Sequence, residues 1–247
     1  MALCFAGNGV ADAQPLTIFG ASDLRYALDE VVLAFKKKNP GAEIQTTYGS
    51  SGKAYAQIRN GAPYDLYFSA NISYPETLVK EGFGVGEAKL YAIGRIVLWQ
   101  RKGGKLDLSK GVKLLTDNSV RKIAIANPEH APYGVAAKET FIKHGIWDQI
   151  QSRLVMGENI SQTAHFVASG AADVGIIAYS LAIAPDTKTL GEPYVLIHKD
   201  DHAPLRQGYM ITKSGSKKPL AKPFAEFLES NEGKEILKKY GFEVPNE

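Results

Sequence analysis

The run Thr47-Tyr48-Gly49-Ser50-Ser51-Gly52-Lys53-Ala54-Tyr55 places hydroxyls, glycines and a lysine between a strand-like segment, 43–48, and a helix-like segment, 52–61. Three chemistries suit such residues. A phosphate cradle needs G-x-x-x-x-G-K-[ST]. Here Thr47 stands where the first glycine belongs and Ala54 replaces the magnesium-binding hydroxyl, so the spacing fails. A serine nucleophile with its lysine is the second. Ser50-Ser51-Gly52-Lys53 fits S-x-x-K, and Lys213-Ser214-Gly215 resembles the K-T-G element of penicillin-recognising enzymes. The intervening S-D-N element is missing, and its nearest match, Ser22-Asp23-Leu24, lies on the wrong side of S-x-x-K. The third is a seat for an anion, built from hydroxyls and unpaired backbone N–H groups at a helix start.

Few other residues offer chemistry. His198 and His202 have H-x-x-x-H spacing, but they flank Lys199-Asp200-Asp201 between two expected strands and lack a further ligand beyond those aspartates. They read as solvated loop histidines, and His165 as a residue packed on a helix face. No carboxylate pair stands out for acid–base work. The lone cysteine, Cys4, excludes an internal disulfide and a cysteine-cluster metal site.

The elements that must position these residues alternate between β and α. The 247 residues are 45% hydrophobic, enough for one large domain or two modest ones. LTIFGA reads as a strand. The helix that follows carries apolar residues at Leu24, Ala27, Leu28, Val31, Val32 and Phe35, with Ser22 or Asp23 as N-cap and Asn39-Pro40-Gly41 as a stop. Further strands are expected at EIQTTY, DLYFSA, IGRIVLWQR, KIAIA, RLVMG, ADVGIIAYS, YVLIH and GYMITK. Helices are expected at GKAYAQIRNG, PETLVKEG, PYGVAAKETFIKHG, ISQTAHFVASG and, with an Asn-Glu-Gly break, KPFAEFLESNEGKEILKKYGF. Such alternation implies mostly parallel sheets with helices on both faces. No flexible tether appears, so two domains would form by the chain crossing over, near 93–101, and returning, near 202–213.

Four of the expected strands end in small, polar or glycine-containing turns that open a helix: 20–23, 48–52, 127–134 and 157–161. In open α/β sheets, ligands bind outside the carboxyl ends of the strands. Converging turns of this kind would make an anion site without a cation. Ordinary βα turns use the same residues for capping, and that reading stays open on composition alone.

Charge and targeting bound the rest. The balance is +3, from 29 basic and 26 acidic residues, with no basic stripe interleaved with aromatics, which argues against nucleic acid as a partner. No run approaches the length of a membrane span. Residues 1–13 end in Ala11-Asp12-Ala13 and read as the tail of a cleaved secretory leader, which predicts export.

Taken together, FGASDLRYAL, YGSSGKAYAQIRNGAPYDLYFSA, YAIGRIVLW, IAIANPEHAPYGVAAKE, GENISQTAHFVASGAADVGIIA and KKYGF resemble the periplasmic molybdate-binding proteins, the substrate-binding components of molybdate ABC importers. The resemblance runs from about Leu16 to Phe242. It implies an α/β, two-lobed periplasmic binding protein fold, each lobe a mostly parallel sheet flanked by helices, with the ligand in the interlobe cleft. It places a discontinuous first lobe at 14–92 and 206–247 and a second at 93–205. It implies a monomer in the periplasm that is not an enzyme and has no cofactor, whose ligand is molybdate or tungstate and whose partner is a membrane permease. Two alternatives remain: a same-fold receptor for another oxyanion or small anionic ligand, and a serine acyl-transfer enzyme using Ser50 and Lys53.

Carried over by position, the resemblance assigns the oxyanion to Ser22, Asp23, Ser50, Ser51, Tyr133 and Ile160, with the metal held only as its oxyanion. Tyr133 and Ile160 would give backbone N–H groups. A tyrosine used by some family members falls at Ala178, and Tyr179, one position on, would point the other way along a strand. The Tyr133 phenol is available to replace that contact. Asp23 departs from the Ser or Asn of some relatives. The expectation for it is a helix cap with its side chain turned away from the anion, paired with Arg25 or Lys53.

Overall fold

In the computed structural model, residues 15–191 and 193–245 are described; the leader reading falls outside them. The strands form two sheets. The first has the order β2-β1-β3-β10-β4, built from β1 (Leu16–Ala21), β2 (Ile44–Gly49), β3 (Leu66–Ser69), β4 (Gly84–Gly94) and β10 (Leu205–Thr212). The second has the order β7-β6-β8-β5-β9, from β5 (Ile96–Trp99), β6 (Ile123–Ala126), β7 (Leu154–Gly157), β8 (Val174–Ala178) and β9 (Tyr194–Leu196). In each, three strands run parallel: β2, β1 and β3 in one, β7, β6 and β8 in the other. The remaining two pair antiparallel at one side.

Among the described residues, ten α-helices flank these sheets: α1 (Arg25–Lys38), α2 (Ser51–Arg59), α3 (Ser73–Lys80), α4 (Pro132–Lys143), α5 (Trp147–Ile150), α6 (Ile160–Ala168), α7 (Tyr179–Ile183), α8 (Pro185–Lys188), α9 (Ala221–Glu229) and α10 (Asn231–Lys239). Strands β3, β5, β6 and β8 are buried along their whole length, as strands covered on both faces must be. On α1, Ala27, Leu28, Val31, Val32 and Phe35 form the buried stripe, and Lys36, Lys37 and Lys38 close the last turn, where cations complement the helix dipole.

The crossover is sharper than the sequence suggested. The expected strand 93–101 is two strands in different sheets, because β4 ends at Gly94 and β5 starts at Ile96. Arg95 sits at the join. Its guanidinium donates to Glu243 Oε1 at 3.0 Å and to the Ile197 carbonyl at 3.2 Å, tying the C-terminal segment to the second sheet. The break in the C-terminal helices falls at Ser230 rather than at Asn-Glu-Gly. The Ser230 hydroxyl caps α10 by accepting from Gly233 N–H, and Gly233 is there because a Cβ would lie 2.3 Å from the Leu228 carbonyl oxygen. His165 lies on α6 but is exposed, not packed.

Candidate functional site

Four helix starts meet between the two sheets. From the first sheet come the 3-10 turn Ser22–Leu24 after β1 and α2 after β2; from the second come α4 after β6 and α6 after β7. All four follow parallel strands at their carboxyl ends. Between them lies a small cavity lined by all six of the residues singled out by sequence: Ser22, Asp23, Ser50, Ser51, Tyr133 and Ile160. The centre of a water-sized sphere has only about 10 Å³ of freedom in it, the scale of one water. Its small size and polar lining favour a compact ion over a large organic ligand. No lysine or arginine lines it.

The donor inventory follows from what each group already does. Ser51 Oγ accepts from Ala70 N–H at 3.0 Å, so its own proton is free to be donated. Ser22 Oγ accepts, more weakly, from Ser161 N–H at 3.4 Å and likewise keeps its proton. Ser51 and Ile160 open α2 and α6, and Tyr133 follows Pro132 at the start of α4, positions whose N–H groups no intrahelical carbonyl can reach. In α6 the next N–H groups are satisfied by Ser22 Oγ, by the Asn159 side chain and by the Asn159 carbonyl, which leaves that of Ile160 for the cavity. The arrangement can hold an anion by hydroxyls and N–H dipoles.

Ser50 lines the cavity but its hydroxyl is committed elsewhere. It donates to the His130 carbonyl at 2.6 Å and lies 2.9 Å from His130 Nδ1. With the hydroxyl proton on the carbonyl, Nδ1 must be the donor to Oγ, so the ring offers Ser50 no base. Gly52 N–H reaches the same carbonyl at 2.9 Å. Lys53, the partner a nucleophile would need, pairs instead with Glu158 at 2.9 Å. Each of these contacts joins α2 of the first lobe to a loop of the second. They are contacts between the lobes, and they leave Ser50 and Lys53 without the mutual pairing that an acyl-enzyme needs.

Asp23 overturns its expectation. It is not at a cap position: Ala21 and Leu24 occupy those of the 3-10 turn and of α1, without side-chain bonds. It pairs with neither expected cation, since Lys53 is on Glu158 and the Arg25 guanidinium lies 6.0 Å from the ring centroids of Tyr26 and Tyr48. Instead the side chain, 1% exposed, accepts from Tyr133 Oη at 2.8 Å and from Gln207 Nε2 at 2.6 Å, both at Oδ2. Gln207 also touches Tyr133 Oη at 3.0 Å and accepts from Tyr91 Oη at 2.6 Å. Oδ1 has no partner among the described residues. Burial pushes the Asp23 carboxyl up to about 6, against the pull of the Gln207 and Tyr133 bonds and, more weakly, of the backbone N–H groups of Asp23 and Leu24. Burial likewise drives both phenols, Tyr91 and Tyr133, well above their usual range, each with help from the Asp23 charge.

The Tyr133 phenol is therefore spent on Asp23 and does not replace the tyrosine missing at Ala178. Nor does Tyr179: β8 stops at Ala178, and Tyr179 opens α7, packed on Tyr194 and Gly241. The next residue is the useful one, because Ser180 Oγ donates to the Asp23 carbonyl at 2.8 Å, another tie between the lobes. Sequence reasoning missed Gln207, Tyr91, His130, Ser161 and Ser180. The expected strand GYMITK stopped one residue short of Gln207, which is fully buried in β10. Gly94 makes room for it: a Cβ there would sit 2.3 Å from Tyr133 Oη and 2.7 Å from Gln207 Nε2.

Among the described residues, no three or more His, Cys, Asp or Glu side chains gather as a metal site, and no helix is long and apolar enough to cross a membrane. His198 faces Asp200, 3.6 Å away, while the His202 ring turns to its neighbour's carbonyl.

Comparison with known proteins bears on this geometry. The chain is 37% identical over 223 residues to the molybdate-binding protein ModA of Rhodobacter capsulatus, covering 90% of this chain and 85% of that one. It is 34% identical over 233 residues to ModA of Azotobacter vinelandii, covering 94% and 91%. The solved structure of the Azotobacter vinelandii periplasmic molybdate-binding protein superposes with a TM-score of 0.86 at 35% identity, over 94% of this chain and all of that one. The family model described as bacterial extracellular solute-binding protein matches residues 16–243. This chain belongs to that bacterial extracellular solute-binding protein family.

Proposed function

We propose that the protein captures molybdate, and also tungstate, in the cavity between its lobes and presents it to the membrane permease of an ABC importer. One observation carries the reading: hydroxyls with uncommitted protons and helix-start N–H groups from both lobes surround a small cavity that no lysine or arginine lines. Relatives named as molybdate-binding support the choice of ion. Ser22, Ser51, Tyr133 and Ile160 are the donors, the last two through the backbone. Ser50 closes the cleft through His130, and Asp23 holds the second lobe through Tyr133. The boundary between lobes is at Arg95, with the return just before Leu205. The protein works as a monomer in the periplasm and performs no chemistry on its ligand.

Neutral donors suit a carrier. Each hydrogen bond to an anion contributes roughly 1.5–3 kcal/mol, so several hold the ion firmly while none is a salt bridge that would slow release. Because the donors come from both lobes, the ion favours the closed arrangement by differential contact. The donors meet only oxygens, so size is what they discriminate. Calorimetric titration of anion-free protein with molybdate, tungstate, sulfate and phosphate tests this. Tight binding of the first two alone is expected; failure of both to bind refutes the assignment of the ion.

A further inference from the structure

A carboxyl group in an anion cavity needs an explanation, and the surroundings of Asp23 supply one. It lines the cavity, is almost wholly buried, and has Oδ2 occupied by two donors while Oδ1 has none. An ionised carboxylate beside a bound dianion, with no cation in the lining, is strongly disfavoured. A cation or a proton would relieve it, and the lining offers no cation. We propose that anion capture by this protein is proton-linked, the cavity taking up its oxyanion together with one proton that resides on Asp23. This rests on the oxyanion reading above. Protonation turns the side chain from a group that can only accept into one that also donates, so the orphaned oxygen becomes a further donor for the anion.

The groups around Asp23 leave it as the one that titrates. From β4 comes Tyr91 and from α4 Tyr133, both phenols that burial keeps neutral far above physiological pH. From β10 comes Gln207 and from α7 Ser180, neither ionisable. On the α2 side of the cleft are His130, Lys53 and Glu158. Burial, and then the Lys53 charge, hold His130 below its usual value, and Lys53 holds Glu158 below its own. Both shifts favour the charge state that each group ordinarily has at neutral pH. The Asp23 carboxyl, at about 6 without anion, is ionised in that range and one proton away from neutrality. A dianion raises it further, so the proton comes from solvent and is returned on release.

The test is calorimetric titration with molybdate at about pH 7.5 in buffers of different ionisation enthalpy, repeated from about pH 6.5 to 8.5. Uptake close to one proton per anion is expected, with the Kd weakening about tenfold per pH unit. Asp23→Asn is expected to bind with no proton uptake and a flat pH profile. In the unaltered protein, difference infrared spectra should gain a protonated carboxyl C=O band on binding, a readout that needs no variant. Molybdate bound tightly with no proton uptake and constant Kd overturns the proposal and leaves the oxyanion reading standing. Proton uptake that survives in Asp23→Asn also overturns it. Absence of binding by any oxyanion at any pH overturns both.

Discussion

Replacing Gly52 by alanine adds one methyl group at the second position of α2, and the structure says where it goes. An ideal Cβ there lies 2.6 Å from the His130 carbonyl oxygen and 3.0 Å from the His130 Cα, both backbone atoms of the opposite lobe. A normal contact requires His130 to withdraw by the better part of an ångström. That breaks or stretches the Gly52 N–H bond to its carbonyl, 2.9 Å, and the Ser50 Oγ bond, 2.6 Å. Two such bonds are worth about 0.5–1.5 kcal/mol each, and residual overpacking about 1–3 kcal/mol. Closure should therefore become roughly 2–6 kcal/mol less favourable, which weakens anion binding about 30-fold at the low end and about 10⁴-fold at the high end. The open form feels none of this. Alanine is the better helix residue by up to about 1 kcal/mol, so the melting temperature of anion-free protein should hold or rise. Calorimetry with molybdate, paired with thermal unfolding and small-angle scattering with and without the anion, separates the two effects. Wild-type affinity in Gly52→Ala, with wild-type compaction on binding, would show that this approach of the lobes is not part of capture and refute the reasoning.

Three further outcomes are expected. Ser51→Ala removes a donor to the anion worth roughly 1.5–3 kcal/mol, so the Kd for molybdate should weaken about 10- to 150-fold in calorimetry, and the loss of the acceptor for Ala70 N–H should lower stability by about 1 kcal/mol. Lys53→Ala breaks an ion pair whose partners are about half exposed; affinity should change by less than about fivefold and depend on salt, as a surface pair does, whereas loss of function would revive a chemical role for the lysine. Asp23→Asn should stabilise the anion-free protein at pH 7.5 but not at pH 3.5. The folded carboxyl titrates near 6 against an ordinary 3.8, so the folded chain keeps a proton that the unfolded chain has released. Stability therefore falls as pH rises from about 4 to about 6, then levels, by up to about 3 kcal/mol. Denaturant unfolding at both pH values reads the difference, and an equal effect of the substitution at both would contradict the assignment.

What the sequence made legible was local. The turns at 20–23, 48–52, 127–134 and 157–161 announce themselves by small and polar residues between a period-2 and a period-3.6 pattern, and the four helix starts they feed do converge. The six residues assigned through them line one cavity. What stayed hidden is nonlocal. Strand β4 was not anticipated because its burial alternates irregularly through Gly84–Lys89, and only pairing with β10, more than a hundred residues away, makes it a strand. Asp23 was misread for the same reason. Its partners lie 110 and 184 positions along the chain, on α4 and β10, and nothing beside it in sequence distinguishes a cap from a cross-lobe tie. Ser50 and Tyr133 are site residues by position, but the sequence does not show that the Ser50 hydroxyl reaches His130 and the Tyr133 phenol Asp23. Both bonds run to the opposite lobe, which no local pattern reports. The division has a physical basis. An ion of this size cannot satisfy every donor around it, and a cleft that opens and closes needs contacts that exist only when shut. On the proposed reading, serines and helix-start N–H groups supply the first set, and the bonds between the lobes at Asp23, Ser50, Gly52, Ser161 and Ser180 supply the second.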